Sequence, residues 1–174
     1  MRVKLTPEQK QANAAAARKE AKAAAKKAAA IEAEKSQKPV KCLTITIEWK
    51  KSRVWGSNPT ASGEIEYADG TFGRTEDEHA SGCGYDKEST VIAGVFNQCL
   101  LGRLWALTDD QVKGGHGSGD AGPAPYGISV YGGRRRFSGG IGTSCYYRIC
   151  EYLGGRFDRV AGGKTFDVYT ATFA

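Results

Sequence analysis

Leu43, Ile45, Ile47 and Trp49 alternate with Thr44, Thr46 and Glu48. A period of two sends the large apolar side chains to one face, which predicts a strand with one buried side. Ile65 and Tyr67 alternate in the same way with Glu64 and Glu66, and Asp69-Gly70 supplies a turn before Thr71-Phe72. The period then changes. Ile92, Val95, Phe96, Cys99 and Leu100 recur at helical spacing, so a helix is expected from about Asp86, placed as N-cap, to Leu107. Thr108 to Pro125 reads as a Gly/Pro-rich loop. Tyr126, Ile128 and Val130 form a short strand, followed by a turn-rich stretch from Gly132 to Gly142. A second helix is expected over Thr143 to Leu153. A closing hairpin joins Phe157–Ala161 to Thr165–Phe173 through Gly162-Gly163. Hairpin-linked strands with two helices predict an α+β fold, an antiparallel or mixed sheet with both helices on one face.

The segment before this body is of another kind. Thr6-Pro7-Glu8-Gln9 is a helix start, with Thr6 as N-cap, Pro7 at the first helical position and Gln9 closing a capping box. From Gln11 to Lys35 the chain is mostly Ala, Lys, Glu and Gln, all strong helix formers, and Lys38-Pro39 ends the run. The helix would be a rod of about 43 Å at 1.5 Å per residue. After Leu5 its one large apolar residue is Ile31, so there is no stripe to bury and no docking on the body is expected. The predicted organisation is a basic helical arm, 1–38, and a globular domain, 39–174.

Charge follows the same division. Residues 1–38 hold ten Lys/Arg and four Glu, a net of +6, while residues 39–174 hold fifteen of each sign. All 23 glycines lie after residue 39. No stretch reaches the ~18 apolar residues of a membrane-spanning helix, which excludes an integral helical membrane protein. Five cysteines without a CxxC pair, behind a charged Ala-rich N-terminus that lacks a signal peptide, argue against a disulfide scaffold and a zinc finger. The expectation is a cytoplasmic protein with reduced thiols, no metal and no cofactor.

Familiar motifs fail on context. Gly117-Ser118-Gly119-Asp120-Ala121-Gly122 spells GxGxxG, but Pro123 follows and no strand precedes it. Gly163-Lys164-Thr165 resembles the end of a phosphate loop, yet Asp158 stands where the first glycine belongs and a strand follows. Cys83 lies four residues after His79, and Cys145 lies in the first turn of a helix. Neither has the base and orienting group a nucleophile needs. The acidic runs Glu76-Asp77-Glu78 and Asp109-Asp110 read as solvated turns. No catalytic residue is assigned.

Binding chemistry is better represented. Lys19, Lys22, Lys26 and Lys27 on the arm can attract phosphates, or serve as a solvated helix face. Arg134, Arg135 and Arg136 stand beside Tyr131 and Phe137, with Tyr146, Tyr147 and Arg148 close in sequence. Arginines with stackable rings suit nucleic acid or an acidic protein surface; the alternative is a solvated turn beside core tyrosines. Lys50, Lys51, Arg53 and Trp55 form a similar cluster after the first strand. Finally, Gly82 and Gly84 precede the first body helix as Gly140 and Gly142 precede the second. Glycine-rich approaches to helix N-termini can hold an anion, or relieve tight turns.

Four stretches carry a resemblance: Lys51-Ser52-Arg53-Val54-Trp55-Gly56-Ser57-Asn58-Pro59; Ala80-Ser81-Gly82-Cys83-Gly84-Tyr85-Asp86-Lys87-Glu88-Ser89-Thr90; Gly139-Gly140-Ile141-Gly142-Thr143-Ser144-Cys145-Tyr146; and Gly163-Lys164-Thr165-Phe166-Asp167-Val168-Tyr169. Together they resemble small proteins carried by phages and mobile elements of Firmicutes, over most of residues 42–173 and not the arm. That setting includes inhibitors of host defence, among them inhibitors of Cas9-type CRISPR nucleases. The resemblance implies a phage-encoded anti-defence protein whose partner is a host nuclease, nucleic acid, or both. Two other classes stay open: a plain nucleic-acid-binding accessory protein, and a small-ligand binder or enzyme built on the glycine-rich helix starts. A neutral body is a poor DNA mimic, because a mimic of the nuclease's substrate should be strongly acidic.

Overall fold

A computed structural model describes residues 6–50, 57–80, 86–112 and 127–174. The chain divides into two units, the arm up to Glu34 and a folded unit from Lys35 onward. The second boundary lies four residues earlier than the sequence implies. Gln37 explains the difference: its amide donates to Gln98 O (3.0 Å) and its Oε1 accepts from Gly102 N (3.1 Å). Lys38 pairs with Asp69 (3.0 Å), so the segment before Pro39 belongs to the folded unit.

Among its described residues the arm forms one helix, α1 (Pro7–Lys35). The expected capping box closes it: Thr6 N donates to Gln9 Oε1 (2.9 Å), and Gln9 N donates to Thr6 Oγ1 (3.3 Å).

In the folded unit β1 (Val40–Trp49), β2 (Pro59–Tyr67), β3 (Phe72–Arg74) and β4 (Glu78–His79) precede α2 (Lys87–Cys99), α3 (Leu101–Trp105) and α4 (Asp109–Val112). The ribbon β5 (Ile128–Tyr131) and β6 (Arg134–Phe137), then α5 (Ser144–Tyr152), β7 (Gly155–Gly162) and β8 (Phe166–Phe173), complete it. The main sheet runs β3-β2-β1-β8-β7, with β4 also on β2, and every pairing is antiparallel. The fold is α+β.

Register explains the burial. Leu43 lies between Ile65 and Ala171, and Ile45 between Gly63 and Tyr169. These residues share the inner face, where α2 covers β1 and β2, and α5 covers β7 and β8. Gly63 is required there: a Cβ would come within 2.8 Å of Val95 and 2.9 Å of Leu43. Phe96 of α2 meets Phe137, Tyr146 and Phe157 edge to face, with centroids 5.2, 5.2 and 6.0 Å away. Threonines 44, 46 and 170 occupy the opposite, open face.

Three local readings differ from expectation. The helix from Asp86 breaks at Leu100, whose backbone leaves helical geometry before α3 resumes. Apolar spacing continues through Leu101 and Leu104, so the pattern conceals the break. Thr108 and Gln111 form a capping box that starts α4 inside the expected loop. The stretch after Gly132 is the second strand of a hairpin, with Gly132 and Gly133 both at positive φ (56° and 75°).

Candidate nucleic-acid interface

Lys19, Lys22, Lys26 and Lys27 are all exposed on α1. At 100° per residue, Arg18, Lys19, Lys22 and Lys26 fall within an arc of about 100°, and Lys27 stands about 80° beyond Lys19. Lys19 and Lys26 are separated by about 10 Å along the axis. Arg18, Lys22 and Lys26 are spaced i, i+4, i+8, so like charges sit on successive turns. Each such pair costs a helix about 0.2–0.5 kcal/mol, a repulsion that a bound polyanion would relieve. None of these cations makes an ion pair with a described residue.

The Arg-aromatic constellation divides. Arg135 points inward and is 5% exposed. Its guanidinium donates to Leu104 O (2.6 Å), Leu107 O (2.7 Å) and Asp109 Oδ1 (2.6 Å), and lies 4.7 Å from the Trp105 ring. It holds the end of α3 and is not available to a phosphate. This corrects the expectation of an arginine triplet on one surface: along a strand, alternate side chains leave on opposite faces. Arg136 is half-buried and donates to Arg135 O. Arg134 is exposed and lies opposite Tyr131, which is 89% exposed, at the hairpin tip. Tyr146 is core, its hydroxyl donating to Ser89 O (2.6 Å). Tyr147 rests on Phe157, half-exposed. Lys50 is exposed at the end of β1; Lys51, Arg53 and Trp55 lie outside the described residues.

The second glycine approach, before α5, has a packing role. Gly140 and Gly142 adopt φ of 75° and 91°. Their loop lies on the first turn of α2, where Ile141 N donates to Ser89 Oγ (3.2 Å) and a Cβ on Gly139 would come 2.7 Å from Thr90 Cα. The α2 N-terminus already carries an anion, because Asp86 Oδ1 accepts from Ser89 N (2.7 Å). Gly82 and Gly84 lie outside the described residues, as does Cys83.

Cys42, Cys99, Cys145 and Cys150 are free thiols. Burial pushes Cys99 and Cys150 up to about 12, so both stay protonated near neutrality. His79 is hydrogen-bonded to Thr60 (3.1 Å). Among the described residues no His, Cys, Asp and Glu side chains gather as a metal site, and no helix is long and apolar enough to cross a membrane.

Sequence reasoning passed over one polar cluster. Asp167 is fully buried and accepts from Arg159, with Nη2 at 2.5 Å, while Tyr169 donates to Glu88 Oε1 (2.6 Å). The available signal was phase: Asp167 shares the inward phase of Tyr169, Ala171 and Phe173. On the open face, Cys42, Thr44, Glu64, Phe72 and Arg74 line a groove of about 370 Å³.

Comparison with protein-family models, curated proteins and solved structures gives no match to this chain.

Proposed function

We propose that this protein is a binding protein that associates with nucleic acid through the backbone phosphates, with its basic arm as the contact. The observation that carries this reading is the lysine face of α1, exposed and without ion pairs among the described residues, on an arm that up to Glu34 holds eight Lys/Arg against four Glu, +4 of the chain's net +6. Phosphate contacts position a protein on a duplex without reading its sequence. The exposed Tyr131 and Arg134 of the hairpin offer a stacking contact that supplements the arm.

The resemblance to phage and mobile-element proteins extends the proposal to antagonism of a defence nuclease of the Cas9 type. Such a nuclease holds its nucleic acid in a positively charged channel, so a basic arm suits contact with that nucleic acid better than with the channel wall. Fluorescence anisotropy with duplexes of unrelated sequence tests the first statement. Equal affinities at low salt are expected, and no binding at about 50 mM salt would overturn it. Co-purification with the nuclease, with and without nuclease treatment, tests the second. Recovery of the pair only when nucleic acid is intact is expected; absence of the pair under both conditions would refute it.

A further inference from the structure

The main sheet has two unlike edges. One is divided between the short strands β3 and β4. The other is β7, eight residues long, which among the described residues pairs only with β8. An edge of that length exposes backbone donors and acceptors to any strand of matching shape.

The sequence of β7 narrows the choice of strand. Arg156-Phe157-Asp158 is its own complement. Antiparallel pairing about a two-fold axis at Phe157 sets Arg156 of each copy opposite Asp158 of the other. Gly155 then stands opposite Arg159. Arg156 and Asp158 lie in register with Thr172 and Thr170 on the open face, and are 77% and 36% exposed. Within one copy they are 2.6 Å apart, so the axis would join them into a cluster of four alternating charges. The paired length is bounded by Gly154, at φ 78°, and by the register shift between Arg159 and Ala161. The same edge carries apolar surface: Val160 is 57% exposed, and Tyr147, resting on Phe157, is 39% exposed. Arg148 and Glu151 of α5 are exposed one turn apart, a second self-complementary pair beside the strand.

We propose that β7 is a homodimer edge, and that the strand it accepts is β7 of a second copy of this chain. A symmetric interface must be self-complementary, and opposite charges placed directly across a ladder favour pairing. The charges and the bulge that protect an edge from indiscriminate strands also fix the register with an identical one. A dimer brings two basic arms, so the second phosphate contact becomes intramolecular.

Sedimentation velocity on the intact protein, across concentrations up to about 100 μM, tests the proposal by mass action. A dimer is expected. R156D and D158R each place like charges opposite at two positions, and each should weaken dimerisation about tenfold or more. The swap R156D/D158R restores complementarity and should restore the dimer. Thermal melts of every variant separate misfolding from lost pairing. A monomer at all concentrations overturns the proposal. So does a dimer indifferent to both single variants, or a swap that stays as weak as they are.

Discussion

Arg135→Met is the perturbation that separates a structural arginine from a binding one. The side chain is 6% exposed and donates to two main-chain carbonyls at the end of α3, Leu104 and Leu107. Methionine keeps much of the volume and removes the donors. A buried carbonyl left without its donor costs about 1–3 kcal/mol. Asp109 is 87% exposed, so its ion pair is screened and contributes less than about 1 kcal/mol. The contact with Trp105 contributes about 0.5–1 kcal/mol. Packing of the methionine offsets part of this, and the net loss is about 3 kcal/mol. With an unfolding entropy of about 2.1 cal/mol/K per residue over roughly 140 residues, that lowers Tm by about 10 °C. Differential scanning calorimetry measures it, with anisotropy on duplex DNA below the transition as the companion assay. Affinity should be unchanged. A Tm within about 3 °C of the parent, or lost affinity at unchanged Tm, would refute the structural assignment.

Gln37→Ala removes two part-buried hydrogen bonds that tie the segment before β1 to the α2–α3 break. Thermal melts should show a loss of about 1–2 kcal/mol, roughly 3–7 °C, and no loss would contradict its place in the folded unit. Gly139→Ala drives a Cβ against Thr90 Cα at 2.7 Å, so chemical denaturation should show lower stability even though alanine is the smaller change in unfolded entropy. Cys99 and Cys150, held up to about 12 by burial, should resist iodoacetamide in the native protein at about pH 8. The same shifts set an alkaline limit. Both thiols, and Tyr146 likewise raised by burial, favour the folded state while protonated. Their contribution is complete below the unfolded thiol value of about 8.5 and is lost as pH rises toward the folded values. Urea midpoints that stay level between about pH 9 and 11 would contradict it.

What the sequence disclosed depended on how local the cause was. The capping box at Thr6, the alternation in β1 and the hairpin through Gly162-Gly163 are each decided within a few residues, and each is present in the fold. Arg135 was not legible because its partners lie 26 to 31 residues earlier, at a helix end the apolar period does not mark. Three arginines together read as a surface cluster, for binding or as a solvated turn, whereas strand geometry sends the middle one inward. The two glycine-rich approaches were visible as an echo; the use of the second was not. Gly139 and Ile141 serve the first turn of α2, a contact between segments some fifty residues apart. On the arm the exposed lysine face follows directly from composition and helical spacing.

The salt dependence of DNA binding tests the central claim most directly. Replacing Lys19, Lys22, Lys26 and Lys27 with Gln keeps helix propensity and removes four exposed charges. Each phosphate contact adds about 0.9 to the slope of log affinity against log salt. The four-glutamine variant should therefore bind with a slope flatter by about 3–4 than the parent, with its helical content and Tm retained. An unchanged slope, with parent and variant binding equally at every salt concentration, would remove the arm from the interface and contradict the account.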